Sequence, residues 1–308
     1  MLPRMDRREV LKALVAAGTG AAFGRSLLRA GDTATMLTRP IPKSGESMPV
    51  IGLGTSKVFD VGTGEAERAP LQRVVQGLVA GGGRMLDSSP MYGRAEDVVG
   101  GIVTATGLRD KIFLASKVWT TGHDAGVAQI EASFQRMKVD RIDLMQVHNL
   151  VDLKTQLATL RAMKAAGRIR YVGVSHWVAS AHAELEQVMR DEDLDFVQLN
   201  YSILEREAEA RLLPLAIERK VAVMVNRPFA RGGLFDRVKG KALPDWAASF
   251  DAKTWGQFFL KFVVSHPAVT CTIPATGKVE HLRDNIAAGF GPLPDQATRE
   301  RMAALFSG

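Results

Sequence analysis

Four residues in the first half of the chain have the types and spacing for acid–base chemistry: Asp87, Tyr92, Lys117 and His148. A free tyrosine, with a pKa of about 10, is a weak acid catalyst at neutral pH. A lysine ammonium about 4 to 6 Å away favours phenolate and lowers that value, and a carboxylate behind the lysine keeps it charged and in place. So grouped, Tyr92 backed by Lys117 and Asp87 can hand a proton to a carbonyl oxygen as negative charge builds there. His148 donates a second hydrogen bond to that oxygen and orients the substrate. No side chain supplies hydride, so the set implies a reduced nicotinamide or a flavin. Taken singly, each has a plainer reading: a packed tyrosine, a capping aspartate, a solvated lysine, a hydrogen-bonded histidine. At the ends of three consecutive strand-like segments, the four together argue for a site. Nothing has metal-ligand spacing, and no G-x-S-x-G or Cys-His arrangement offers a nucleophile.

The elements that must position these residues are short apolar runs. Met85 to Asp87, Ile112 to Ser116 and Ile142 to Val147 each read as a buried strand, ending at or just before Asp87, Lys117 and His148. Similar runs recur at Val50 to Gly54, Ile169 to Ser175, Phe196 to Tyr201, Val221 to Asn226 and Thr270 to Pro274. Helical periodicity fills the intervals: Arg68 to Ala80, Glu96 to Ala105, Val127 to Met137, Leu153 to Ala166, Ser180 to Met189, Glu207 to Arg219, Thr254 to Ser265 and Val279 to Ala288. Strand and helix pairs in this number predict a parallel sheet closed into a (β/α)8 TIM barrel, with chemistry at the carboxyl rim. The rival doubly wound sheet usually carries a G-x-G-x-x-G fingerprint after a strand, and none occurs. Met36 to Thr55 reads as an N-terminal β-hairpin leading into the first barrel strand, with its turn at Lys43-Ser44-Gly45-Glu46. The connection from Phe229 to Lys253 reads as one long lid or binding loop, and Pro294 to Leu305 as a short helical tail.

Composition narrows the class. The chain has 308 residues, 46% of them apolar, enough for one barrel-sized core. The net charge of +7 is spread rather than run together, and no recognition motif accompanies it, which argues against nucleic acid. The lone Cys271 excludes an intramolecular disulfide and reads as a buried strand residue. Residues 35–308 form the barrel domain; residues 1–34 do not look like part of it. There Arg7-Arg8 precedes an apolar, Ala-rich stretch from Ala13 to Phe23, too short for a stable membrane span. The order resembles a twin-arginine export signal, with Ala30 or Thr33 to Thr35 as cleavage candidates. It predicts passage through the twin-arginine machinery to the periplasm or beyond, and a cytoplasmic enzyme if the signal is not used.

The chain resembles the aldo-keto reductase family from about residue 36 to the end. The resemblance is carried by Gly83-x-x-x-Leu86-Asp87-Ser88-Ser89-x-x-Tyr92-Gly93, Ser116-Lys117, Val147-His148-Asn149, Val172-Gly173-Val174-Ser175, Gln198-x-Asn200-Tyr201, and Ile273-Pro274-Ala275-Thr276 followed by His281-Leu282-Arg283-Asp284-Asn285. It implies reduction of an aldehyde or ketone, or the reverse, with NADPH, and less often NADH, lying across the rim. Tyr92 matches the general acid, Lys117 and Asp87 the pair that lowers its pKa, and His148 the orienting histidine. Ser175 and Gln198, with Asn149 beside them, match the contacts to the nicotinamide carboxamide. Asp284 and Asn285 match the adenine-end contacts, and Thr276 the hydroxyl at the 2′-phosphate.

The departures are specific. Asn226 stands where many members stack an aromatic ring on the nicotinamide, so Tyr201 or Phe229 is expected to position that ring. Ala275 and His281 replace the cations that often grip the 2′-phosphate, with Lys278 and Arg283 near enough to compensate. Phe59, Trp119 and Trp177 are candidates for an apolar wall around the carbonyl substrate. The missing aromatic and the export signal also motivate an alternative: a nicotinamide-binding, redox-sensing regulatory subunit with little turnover.

Overall fold

The two short extended runs before the barrel, β1 (Thr38–Pro40) and β2 (Ser47–Pro49), pair antiparallel with Thr38 opposite Pro49, as the turn at Lys43 to Glu46 predicts. The structure is a computed structural model and describes residues 35–307. The export-signal expectation for residues 1–34 lies outside the described residues. No described helix is long and apolar enough to cross a membrane.

Eight parallel strands follow in chain order: β3 (Leu53–Gly54), β4 (Met85–Asp87), β5 (Phe113–Val118), β6 (Ile142–His148), β7 (Ile169–Ser175), β8 (Phe196–Asn200), β9 (Ala222–Asn226) and β10 (Val269–Thr272). Parallel bridges from Ile51 to Thr272 and from Gly54 to Ala275 join the last strand to the first. A Cβ at Gly54 would come 2.8 Å from the Ile273 carbonyl, so the seam closes only around glycine. Helices α1 (Glu65–Ala80), α2 (Ala95–Thr106), α3 (His123–Met137), α4 (Leu153–Ala165), α5 (His182–Asp191) and α6 (Leu212–Glu218) separate the strands up to β9. α7 (Gly233–Arg237) and α8 (Trp255–Val264) precede β10, and α9 (Val279–Ala287) and α10 (Gln296–Ala304) follow it. This is the (β/α)8 barrel with an N-terminal hairpin that the alternation predicts.

Side-chain alternation along the strands sets what the lumen contains. Met85, Phe113, Ala115, Leu144, Tyr171, Phe196, Ala222, Met224 and Cys271 form one buried cluster drawn from seven of the eight strands, closed below by Ile41 and Met48 of the hairpin. Stepping two residues along each strand keeps the same face. That step carries Met85 to Asp87, Ala115 to Lys117, Leu144 to Gln146 and His148, Tyr171 to Ser175, Phe196 to Gln198 and Met224 to Asn226. The lumen is therefore apolar at its base and polar at its carboxyl rim. Cys271 lies in the apolar layer, fully buried, where loss of solvation pushes its thiol pKa up and leaves it inert.

Two segments differ from the sequence reading. The helix expected over Glu207 to Arg219 begins at Leu212, after a separate 3₁₀ turn at Glu207–Glu209. Pro214 has no N–H to give to residue 210, so the helix starts where its first turn needs no such donor. The connection from Phe229 to Lys253 is ordered rather than irregular: it holds α7 and a 3₁₀ segment at Asp245–Phe250, with Trp246 packed on Phe250 and Phe258.

The tail helix α10 is anchored by Arg299. Its guanidinium donates to the Phe262 carbonyl, to Ser265 Oγ at 2.7 Å, to Tyr201 Oη at 2.5 Å and to Glu209 Oε1 at 2.8 Å. Arg299→Met should cost about 3 kcal/mol, the low end for breaking a buried ion pair, since Arg206 still holds Glu209. Guanidinium melts of the two proteins check this.

Candidate active site

The rim is built around one buried ion pair. Lys117 has no exposed surface, and its ammonium donates to Asp87 Oδ1 at 2.9 Å, Asp87 Oδ2 at 2.7 Å and the Ser88 carbonyl at 2.7 Å. Gln146 Nε2 approaches Asp87 Oδ1 at 3.4 Å, and Thr55 Oγ1 donates to the Asp87 carbonyl at 3.0 Å. Burial is the largest single influence and lowers the Lys117 pKa, but the Asp87 and Tyr92 charges and hydrogen bonds together outweigh it and the value is raised. The ammonium is therefore a permanent charge, 5.0 Å from the centroid of the Tyr92 ring.

Tyr92 follows β4 in a tight turn. The next residue, Gly93, has φ of 59°, and a Cβ there would come 2.3 Å from the Asp60 carboxylate, which itself accepts the Arg94 N–H at 3.0 Å. Only glycine satisfies both the left-handed backbone and that close approach. The expectation of a lowered Tyr92 pKa is corrected here. Burial is the largest influence and raises the pKa, the Lys117 charge and hydrogen bond oppose it, and Asp87 adds to the rise. The free phenol thus holds its proton through neutral pH, the state a proton donor needs.

His148, at the end of β6, is 6% exposed, and its Nδ1 lies 2.6 Å from Ser175 Oγ on the neighbouring strand. Burial, then the Lys117 and His176 charges, push its pKa down to about 3. The ring is neutral across the working range. This carries a stability consequence. Between the ordinary histidine value of about 6.5 and about 3, the unfolded chain takes up a proton that folded His148 refuses. Stability should therefore be full above pH 7 and fall as pH drops, by up to about 1.4 kcal/mol per pH unit for this group. His266, pushed down to about 4 mainly by burial, acts in the same direction. Denaturant melts at pH 7.5, 6 and 5 check the slope, which a His148→Asn, His266→Asn variant should flatten.

Asp87, Tyr92, His148, Asn149 and Gln198 line one cavity of about 830 Å³, while Lys117 and Ser175 stand directly behind its wall. Asn149, just past β6, has φ of 52°. A second cavity of about 500 Å³ is lined by Thr276, His281, Asp284 and Asn285 and shares Phe229, Phe235 and Ala275 with the first. Asp284 is held by Thr254 Oγ1, at 2.9 and 2.8 Å, and by Gln257 Nε2 at 2.8 Å. Lys278 is exposed at the start of α9, outside that lining, and its N–H donates to Thr276 Oγ1 at 3.1 Å.

Two further expectations change. Trp119 and Trp177 line the main cavity, but Phe59 is fully buried in the packing around α1 and α2 and does not. Of the two rings offered in place of an aromatic at Asn226, Phe229 lines both cavities, whereas Tyr201 is fully buried against Glu209 and Arg299. Sequence reasoning passed over Gln146, although it lies two residues before His148 on one strand face. It also passed over Arg227 and Arg231, which line the main cavity from the loop after β9.

Comparison with known proteins agrees with this geometry. The family model described as the Aldo/keto reductase family matches residues 50–304. The methylglyoxal reductase YeaE of Escherichia coli (strain K12) is 30% identical over 260 residues, covering 82% of this chain and 89% of that protein. A crystal structure of an aldo/keto reductase from Klebsiella pneumoniae in complex with NADP and acetate superposes with a TM-score of 0.71 at 27% identity, covering 85% of this chain and 93% of that one. An aldo-keto reductase from the same organism in complex with NADPH gives 0.73 at 26% identity, over 89% and 95%. With the match running through nearly the whole barrel, the chain belongs to the aldo/keto reductase family.

Proposed function

We propose that the protein is an NADPH-dependent carbonyl reductase that converts an aldehyde or ketone to an alcohol, with Tyr92 as general acid. The observation that carries this reading is the fully buried Lys117–Asp87 pair set behind a phenol that opens onto a large cavity. A permanent buried ammonium next to a protonated phenol is suited to stabilising negative charge that arises only during reaction.

The cavity wall also fits a nicotinamide. Gln198 Nε2, Asn149 Oδ1 and Asn226 Oδ1 are buried without a hydrogen-bond partner among the described residues. One donor and two acceptors left open in this way match the carbonyl and amino group of a carboxamide, and unmatched they would each cost about 1 to 3 kcal/mol. The relatives solved with NADP or NADPH support the same assignment. Thr276, His281, Asp284 and Asn285 would hold the adenosine end, and Lys278 and Arg283 supply nearby positive charge that favours NADPH over NADH. When bound, NADPH supplies hydride to the carbonyl carbon.

The chain's own residues manage the oxygen. Tyr92 gives its proton to the carbonyl oxygen, and Lys117 stabilises the phenolate left behind. Ser175 is placed to donate its hydroxyl proton to His148 Nδ1, so the neutral ring carries its proton on Nε2 and presents a donor to the same oxygen. Asp87 holds the ammonium in place and keeps it charged.

Fluorescence titration with NADPH and NADH, followed by turnover on a panel of aldehydes and quinones, tests the reading. Tighter binding of NADPH with its oxidation by at least one carbonyl supports it. Tight binding without oxidation across the panel would overturn it in favour of a nicotinamide-binding regulatory subunit.

A further inference from the structure

Trp119 is the first residue past β5, and no other ring or cation fixes its side chain. The indole is 46% exposed and takes part in no aromatic or cation–ring contact among the described residues. Its backbone is held instead. The β5 ladder ends at Val118, which pairs with Val147, so the Trp119 N–H and carbonyl lie beyond the sheet. The carboxamide of Gln129, in the second turn of α3, serves both of them: Oε1 accepts the Trp119 N–H at 2.6 Å, and Nε2 donates to the Trp119 carbonyl at 3.3 Å. A flat amide that bonds both polar groups of one residue takes the place of a neighbouring strand and restrains the backbone there. The residues that follow are pinned from α4 and its start. Gln156 Nε2 donates to the Thr120 and Gly122 carbonyls at 3.2 and 3.0 Å, and Asp152 accepts the Gly122 N–H at 2.7 Å.

Resting on the reductase reading above, we propose that Gln129 is a positioning residue that determines specificity: it fixes Trp119 as a rigid wall for the substrate, so that the enzyme selects carbonyls carrying an aromatic ring over short aliphatic ones. Trp119 lines the main cavity, whereas Gln129 lies outside both cavities and acts only through that backbone. The strand order places this wall at the reacting end. Trp119 follows β5, between β4, which leads to Tyr92, and β6, which ends in His148. In a closed ring of eight strands β5 stands four places from β9 by either route, so Trp119 lies across the rim from Phe229 and Phe235, where the two cavities join. A half-exposed indole face is covered by a flat apolar group. A ring ordered before binding keeps more of that contact as affinity than one that must be ordered by the substrate.

The test uses the full chain with saturating NADPH and two aldehydes alike at the carbonyl: 3-phenylpropanal and propanal. The expected wild-type ratio of kcat/KM, aryl to alkyl, is about 10 or more. Gln129→Met, which keeps the side chain's length and helix preference but neither hydrogen bond, should lower that ratio about 3- to 10-fold, as for one aromatic contact. The loss should fall on KM for 3-phenylpropanal more than on kcat. Gln129→Glu, which retains an acceptor for the Trp119 N–H, should keep part of the ratio. Trp119→Ala should lower the ratio at least as far, and adding Gln129→Met to it should lower it no further, because both act through one ring. Thermal melts and fluorescence titration should show folded variants with unchanged NADPH affinity. A wild-type ratio near one overturns the proposal and leaves the reductase reading standing. So does a Gln129→Met ratio equal to that of the wild type, or a loss shared equally by both aldehydes, which would make Gln129 a structural residue only. If neither aldehyde is reduced although NADPH binds, the reductase reading fails and this inference with it.

Discussion

Tyr92→Phe should lower kcat for carbonyl reduction by about 10²- to 10⁴-fold, the usual span for losing a positioned general acid, while NADPH affinity stays nearly unchanged. The substitution removes one oxygen from a partly buried ring and leaves the ring's packing in place. It deletes the phenol proton that Lys117 stands behind, and His148, neutral with a pKa of about 3, holds no spare imidazolium proton to replace it. Stopped-flow turnover and fluorescence titration on the same preparation separate the two effects, and a fully active variant would remove Tyr92 from the mechanism. The pH dependence gives a second readout. With His148 neutral above about 3, kcat/KM should show no imidazole step between pH 5 and 8. The rate should fall only at high pH, as the raised Tyr92 pKa is approached and the proton to be transferred is lost.

Lys117→Met should damage folding and chemistry together, and a second substitution should separate them. Removing the ammonium strands the Asp87 carboxylate, 2% exposed, with one long hydrogen bond from Gln146 in place of a bidentate ion pair. Breaking a buried pair from one side costs about 3 to 5 kcal/mol, because the remaining charge is left uncompensated. Adding Asp87→Asn removes that charge, so the double variant should recover much of the stability. Its activity should not recover. Lys117 is the principal influence pulling the Tyr92 pKa down, and without it the phenolate formed on proton transfer has no adjacent cation. Loss of one such electrostatic stabiliser costs about 10²- to 10³-fold in kcat. Guanidinium melts and steady-state rates on the wild type and the two variants decide the matter. Recovery of rate along with stability would make Lys117 a structural residue only.

The readable part of this protein is its local periodicity. Ala115 to Lys117 and Leu144 to His148 are steps of two along strands, and a step of two keeps a side chain on one face whatever surrounds it. That is why Asp87, Lys117 and His148 can be assigned to one rim from spacing, and why the hairpin at Lys43 to Glu46 and the closed eight-stranded sheet are legible before any coordinates. Pro214 is equally visible, yet its effect on where a helix begins depends on which competing turn the chain takes, so the periodicity of Glu207 to Arg219 alone reads as one helix.

What escaped is everything that depends on how many elements close over a given atom. The direction of the Tyr92 pKa is set by burial against the pull of Lys117, and burial is contributed by loops distant in sequence. Phe59 and Tyr201 look like pocket aromatics in the chain and are core residues in the fold, whereas Phe229, on an apparently irregular loop, reaches both cavities. Arg227 and Arg231 read as two solvated charges among forty Lys and Arg until the barrel brings Trp177 under them. Strand periodicity is a property of neighbouring residues and survives without context. Desolvation, counterion supply and cavity lining are sums over the whole surface that folding buries, and only the assembled barrel fixes their sign.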